Sequence, residues 1–239
     1  MSETKGMIII MWKLEFLKYK RTYLAPVFIG IGIFLVIFQS YAGYTIKEIP
    51  AKVLFVTGLD LYSNLLLPVM IPVFLIISIY REVENTAFQN LTIKGISSQQ
   101  IQFSILKFYW IVIPLIFLCH FFIPLVFVAL RGESVLNVVI DNSLFLILSI
   151  LSIVALVNIS LLIHQFSGTY VLPILVAVVG VVLGRLPLGQ IIWIANPYSY
   201  LSYVADFKSF TAIHYLSVFL IISLSFIGII LLRKKNRFE

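Results

Sequence analysis

The sequence predicts an all-α membrane protein. It has six transmembrane helices, an N-terminal interfacial helix, a cytoplasmic helical segment between spans 2 and 3, and a re-entrant hairpin between spans 5 and 6. Three observations predict it. Of the 239 residues, 61% are hydrophobic and only 11% charged, with a mean hydropathy of +1.08; soluble domains run near a quarter charged. Five runs, 22–46, 61–80, 108–130, 142–184 and 209–232, contain no Asp, Glu, Lys or Arg. A helix needs about 20 residues to cross a hydrocarbon core of about 30 Å, so four runs suit one span each and 142–184 suits two. Charge placement is the third observation. With six spans and both termini in the cytoplasm, the inner segments hold twelve Lys and Arg and the outer ones five, which is the positive-inside bias. Acidic residues divide five and five, so the whole net charge of +7 lies inside. A basic balance placed in this way is a poor sign of nucleic-acid binding.

In chain order, residues 1–7 form a short polar tail. Residues 8–21 are too charged to span. On a helix Ile9, Trp12, Phe16 and Tyr19 share a face and the Lys and Arg stems can snorkel, so the segment reads as interfacial. The alternative is that it extends span 1. Lys13, Lys18, Lys20 and Arg21 follow the first short apolar patch with no small-residue cleavage site, so a signal peptide is not expected. Span 1 is expected at 22–43, with Pro26 in its first turn and Gly30 and Gly32 making it narrow enough for close helix contact. An outer loop at 44–58 precedes span 2 at 59–80, where Pro68 and Pro72 are expected to kink the helix.

The interval 81–107 is the longest polar interruption in the chain. It reads as a helix beginning near Glu82, with Val83, Ala87 and Leu91 on one face and Glu82, Asn85 and Gln89 opposite. Glu82 and Glu84 would then lie in a first turn, where the helix dipole favours negative charge. Lys94-Gly95 ends that helix, and Ser97 or Ser98 caps a second one running through Lys107 into span 3. The plainer alternative is a solvated hairpin joining two spans. Span 3 is expected at 108–130, an outer turn at 131–137, span 4 at 140–163, an inner turn at 164–169 stopped by Gly168, and span 5 at 170–184.

Segment 185–212 could be a seventh span, but the basic tail 233–237 would then face outside, against the charge rule. Pro187, Gly189 and Pro197 interrupt it, and Asn196-Pro197 is a natural helix restart. Trp193, Tyr198, Tyr200 and Tyr203 suit the membrane boundary. Two short helices that dip and return are expected there, then span 6 at 213–232. The whole chain, 1–239, reads as one membrane domain.

Chemistry-bearing motifs are few. There is no G-x-x-x-x-G-K-[ST] and no H-E-x-x-H. His120, His164 and His214 lie far apart and read as packed or interfacial side chains. No Asp or Glu falls near the middle of an expected span, so a carboxylate proton relay is not expected. Asn64, Asn158, Gln165, Ser149, Ser152 and Ser160 are the intramembrane polar groups, read first as interhelical hydrogen bonds and second as a path lining. Gly180 and Gly184 form a G-x-x-x-G, a close-packing face for another span or a second copy. Cys119, the single cysteine, is expected to be a small buried thiol.

An interfacial helix, six spans, a helical insert after span 2 and a broken hairpin before span 6 together resemble the type-2 ABC transporter permeases. Glu82 or Glu84, Asn85-Thr86, Leu91, Gly95-Ile96-Ser97 and Lys107 match the order of residue types around that family's insert, with Gly95 where proline is frequent. Size and overall plan are most similar to permease subunits of lantibiotic (bacteriocin peptide) immunity exporters. The resemblance implies a P-loop ABC ATPase partner that carries ATP and magnesium, with no cofactor in this chain. It further implies a second permease subunit, identical or different, and a multi-pass place in the bacterial cytoplasmic membrane. The insert would be the coupling helix, with Glu82, Glu84, Asn85, Phe88, Gln89 and Leu91 meeting the ATPase. Gly30, Gly180 and Gly184 would serve permease packing, and Trp193, Asn196, Pro197 and Tyr200 the outer gate. The expected cargo is an amphipathic peptide, with no enzymatic step in this chain. Rival readings are efflux of a small drug, lipid or ion, a membrane sensor or scaffold, and an intramembrane hydrolase, which lacks its His and Glu cluster.

Overall fold

The computed structural model describes residues 24–84, 98–186, 196–199, 201 and 212–235. The expected interfacial helix at 8–21, residues 85–97 of the polar interval and most of the expected hairpin lie outside them. Every regular element among the described residues is helical.

Helix α1 spans Leu24–Thr45 and α2 spans Ala51–Leu61. A π-helical turn, Tyr62–Leu66, joins α2 directly to α3, Leu67–Glu84. The outer loop expected at 44–58 is therefore much shorter. Pro50, read as a loop residue, is the N-cap of α2, and its carbonyl accepts from Val53 and Leu54 at 2.9 and 3.0 Å. Its fixed φ starts a helix as readily as it shapes a loop. The π turn has its own cause in Pro68, whose ring crowds the carbonyl four residues back and which lacks an N–H. The helix widens just before it, and the Leu67 N–H bonds five residues back to the Tyr62 carbonyl.

Helix α4, Ser98–Leu130, is a single rod of 33 residues despite Pro114 and Pro124. It starts where a capping serine was expected. A turn through Gly132, at φ +74°, leads to the short helix α5, Val135–Asp141, within the stretch read as an outer turn and the start of span 4. Ser134 caps α5 by accepting from the Asn137 N–H at 3.4 Å. Helix α6, Ser143–Ser167, ends at Gly168, whose φ of +64° is open to glycine and whose N–H reaches the His164 carbonyl at 2.9 Å. Helix α7 is Leu172–Arg185, a 3-10 turn covers Pro197–Ser199, and α8 is Ala212–Lys235.

Among the described residues, four helices are long and apolar enough to cross a membrane: Pro26–Thr45, Ala51–Tyr80, Phe103–Leu130 and Ser143–Ser167. Helix α7 has 14 residues, about 21 Å at 1.5 Å per residue, and falls short alone.

The α2–α3 rod is the axis of the bundle. Helices α1 and α4 pack on α2, α6 and α7 pack on α3, and α8 packs on α6. Phe55 meets Phe121 and Phe145 edge to face, with centroids at 4.8 and 6.4 Å, and all three rings are buried. The outside is also apolar: Phe34 on α1, Phe122 on α4 and Phe219 on α8 are each at least 60% exposed. Large apolar side chains exposed on three helices suit a lipid or protein environment. Cys119, expected inside, is exposed on α4, because the rod turns that position away from the α2–α3 axis.

Candidate functional site

Glu82 and Glu84 belong to α3. They do not open a new helix near residue 82, so the first-turn dipole argument does not apply to them. Asn85, Phe88, Gln89 and Leu91 lie outside the described residues, as do Trp193 and Tyr200.

Asn196 and Pro197 are described, and they sit on α7. The Asn196 side chain donates to the Gly180 carbonyl at 2.7 Å, and its oxygen accepts from the Tyr198 N–H at 3.2 Å, which caps the 3-10 turn. Ser199 Oγ donates to the Asn196 carbonyl at 2.7 Å. The two glycines make room for this turn. A Cβ on Gly180 would lie 2.7 Å from the Tyr198 ring, and one on Gly184 would lie 2.7 Å from Ser199 Cβ. The glycine pair thus seats a turn of its own chain. Gly30, by contrast, faces open space. Beside the turn, α6 and α7 leave an apolar groove of about 570 Å³, lined by Ile159, Leu175, Val179, Leu183 and Tyr198 among others.

Inside the bundle, polar groups join helices. Trp110 Nε1 on α4 donates to Asn158 Oδ1 on α6 at 2.8 Å, and Asn158 Nδ2 donates to Ser225 Oγ on α8 at 3.2 Å. One amide thereby ties three helices. Tyr109 on α4 bonds Ser78 on α3 and donates to the Phe74 carbonyl at 3.0 Å. His120 is packed, as expected: its ring stacks on Tyr62 at 4.0 Å, and Nδ1 donates to the Ile116 carbonyl at 2.7 Å.

Around the π turn lies a second polar group. Asp60 is the tenth residue of the 30-residue helix Ala51–Tyr80, not at the edge of a span beginning near 59. It is half-buried. Its Oδ1 accepts from Asn64 Nδ2, the Asn64 oxygen accepts from Ser63 Oγ at 3.2 Å, and Ser63 Oγ also donates to the Leu59 carbonyl at 2.8 Å. On α1, Gln39 Oε1 accepts from the Leu61 N–H at 2.8 Å. An ionised carboxylate at a span centre costs about 2.5–3.5 kcal/mol to insert, less toward the ends. Such groups therefore face protein or a wet cavity.

Arg131, just past α4, forms a clamp. Its guanidinium donates to the carbonyls of Ile49, Gly43, Tyr44 and Ile46 at 2.6, 2.6, 2.9 and 2.6 Å, and lies 5.8 Å from the Tyr44 ring centre. Two of these carbonyls close α1, where the helix dipole welcomes a cation.

Sequence reasoning passed over Asp60, Gln39, Trp110 and Arg131 as members of a site. A Pro at position 50 opening an unbroken helical pattern was the available signal for Asp60. No signal existed for the partners of Arg131, which are backbone groups.

No curated protein matches the chain. A family model described as ABC-2 family transporter protein matches residues 11–184, which takes in α1 to α7 and the intervals between them. With its bundle of apolar helices, the chain belongs to the ABC-2 transporter family.

Proposed function

We propose that this permease subunit expels an amphipathic, lantibiotic-like peptide from the bacterial cytoplasmic membrane and so protects the producing cell. The family match over residues 11–184 supports the permease part of the reading, and membership implies an ABC ATPase partner; the peptide cargo rests on the likeness in size and plan to immunity-exporter permeases. No P-loop motif occurs in the 239 residues, which supports placing ATP and magnesium in a separate chain, with no covalent step in this one. In this reading α7 and α8 complete six spans, both termini are cytoplasmic, and residues 185–212 form the outer re-entrant hairpin. The interval after α3 docks on the ATPase. Nucleotide binding and hydrolysis shift its pose, and the long rods carry that shift to the hairpin around Asn196 and Pro197. A second permease, of the same or a different sequence, completes the path.

A second reading, efflux of a lipid-like compound, is favoured by the apolar groove beside Tyr198. The test is purification of the tagged chain in mild detergent, with mass identification of what stays bound. A P-loop ATPase is expected, with or without another membrane subunit. Repeated isolation of the chain alone would overturn the exporter reading in favour of a sensor or scaffold. In vesicles containing the recovered complex, ATP-driven export of a cationic amphipathic peptide, but not of a fluorescent phospholipid, separates the two cargo readings.

A further inference from the structure

We propose that Asp60 is a cation-binding residue of the membrane body, and that its carboxylate takes the protonated amine of an amphipathic compound. The assignment of that compound as cargo rests on the exporter reading; the binding site does not.

Asp60 lies a third of the way along an otherwise apolar 30-residue helix, the one that forms the axis of the bundle. It is half-buried and shares its exposed edge with Val53, Thr57 and Leu65. A carboxylate on that edge suits a wet or protein-lined surface better than lipid. Asn64 donates to Asp60 Oδ1, and the fully buried Ser63 hydroxyl lies 3.2 Å from the Asn64 oxygen. Ser63 is fixed in turn by the Leu59 carbonyl. This chain of bonds runs through the π turn, a helix distortion frequent at functional sites.

At the Arg131 end of the bundle, the Arg131 guanidinium is already taken up by four backbone carbonyls. Among the described residues no basic side chain is paired with Asp60. The site also selects among cations. A bare metal ion requires several oxygen ligands at once, whereas an alkylammonium needs one or two acceptors and brings its own apolar tail. One aimed carboxylate beside Val53 and Leu65 fits the second.

The test uses the full chain in lipid nanodiscs, with a dansylated long-chain primary amine and its N-acetylated, uncharged twin as probes. Wild type is expected to bind the amine saturably and at least tenfold more tightly than the twin. Asp60→Asn is expected to weaken amine binding at least tenfold and leave the twin unchanged, while Asp60→Glu keeps most of the preference. Asn64→Leu is expected to fall between. Unchanged thermal unfolding of Asp60→Asn shows that the fold is retained; if it unfolds, the Glu variant and sodium competition carry the test. Equal binding of amine and twin to wild type overturns the proposal, as does an Asp60→Asn variant that binds like wild type. Displacement of the amine by millimolar sodium would instead assign the site to a metal ion and also overturn it. Neither failure touches the ATPase pull-down, which tests the exporter reading separately.

Discussion

Arg131 shows what a single residue does in this chain. Its guanidinium bonds four backbone carbonyls at the end of α1 and in the loop that follows, two of which, Gly43 and Ile46, also accept from backbone N–H groups at 3.3 Å. A lysine keeps the charge but not the planar fork. Arg131→Ala is expected to lower stability by about 2–3 kcal/mol and Arg131→Lys by about half of that. Thermal unfolding in nanodiscs checks both, and equal values for Lys and Arg would show that charge alone matters. Asn158→Leu strips partners from Trp110 and Ser225 together. Such bonds in membranes average about 0.6 kcal/mol, so a loss of about 1 kcal/mol is expected in the same assay. Asn158 was legible in the sequence because an amide stands out in an apolar run. Trp110 and Arg131 were not, since tryptophan reads as a boundary residue and a loop arginine as a topological charge. The sequence reveals which groups are polar but not which carbonyls face them.

At the scale of elements, helix starts and stops were partly legible. Gly168 ends α6 as expected, in a left-handed conformation, and a serine opens α4. The α2 start was misread because Pro50 stands among Glu48 and Lys52, a loop-like neighbourhood. The glycine pattern on α7 was read as a packing face, but its own-chain neighbour, the turn that Asn196 caps at Pro197–Ser199, comes from beyond the helix and could not be seen. Two glycines give an internal comparison. Gly180→Ala puts a Cβ 2.7 Å from the Tyr198 ring, whereas Gly30→Ala meets nothing within 4 Å. The first is expected to cost about 1–3 kcal/mol by overpacking. Gly30→Ala is expected to stabilise the isolated subunit by up to about 1 kcal/mol through helix propensity. Unfolding midpoints of the two variants check the contrast. A Gly30→Ala variant that unfolds normally but no longer pairs with another permease would place that face of α1 at a subunit contact.

For the molecule as a whole, the all-helical membrane class was legible because lipid leaves long uncharged runs as its signature. The assembly is less so, because apolar faces read alike whether they meet lipid or protein. Phe34, Phe122 and Phe219 illustrate this. The reach from α3 into the polar interval is where the proposed ATPase contact begins. Glu82→Lys combined with Glu84→Lys is expected to leave the chain in the membrane but reduce recovered ATPase at least tenfold, measured by quantitative co-purification. Wild-type recovery with intact export would remove those residues from the contact.

The π turn sets the angular phase of the central rod. One residue more per turn than an α-helix shifts all that follows by about 100° around the axis. Faces counted from Ala51 therefore do not carry over to Glu84. The wheel that places Asp60 beside Thr57 gives the wrong neighbours for Ser78, which meets Tyr109 of α4. A one-residue deletion at 62–66 would act as a wrench, turning the Glu84 end against the Arg131 end while leaving every helix intact.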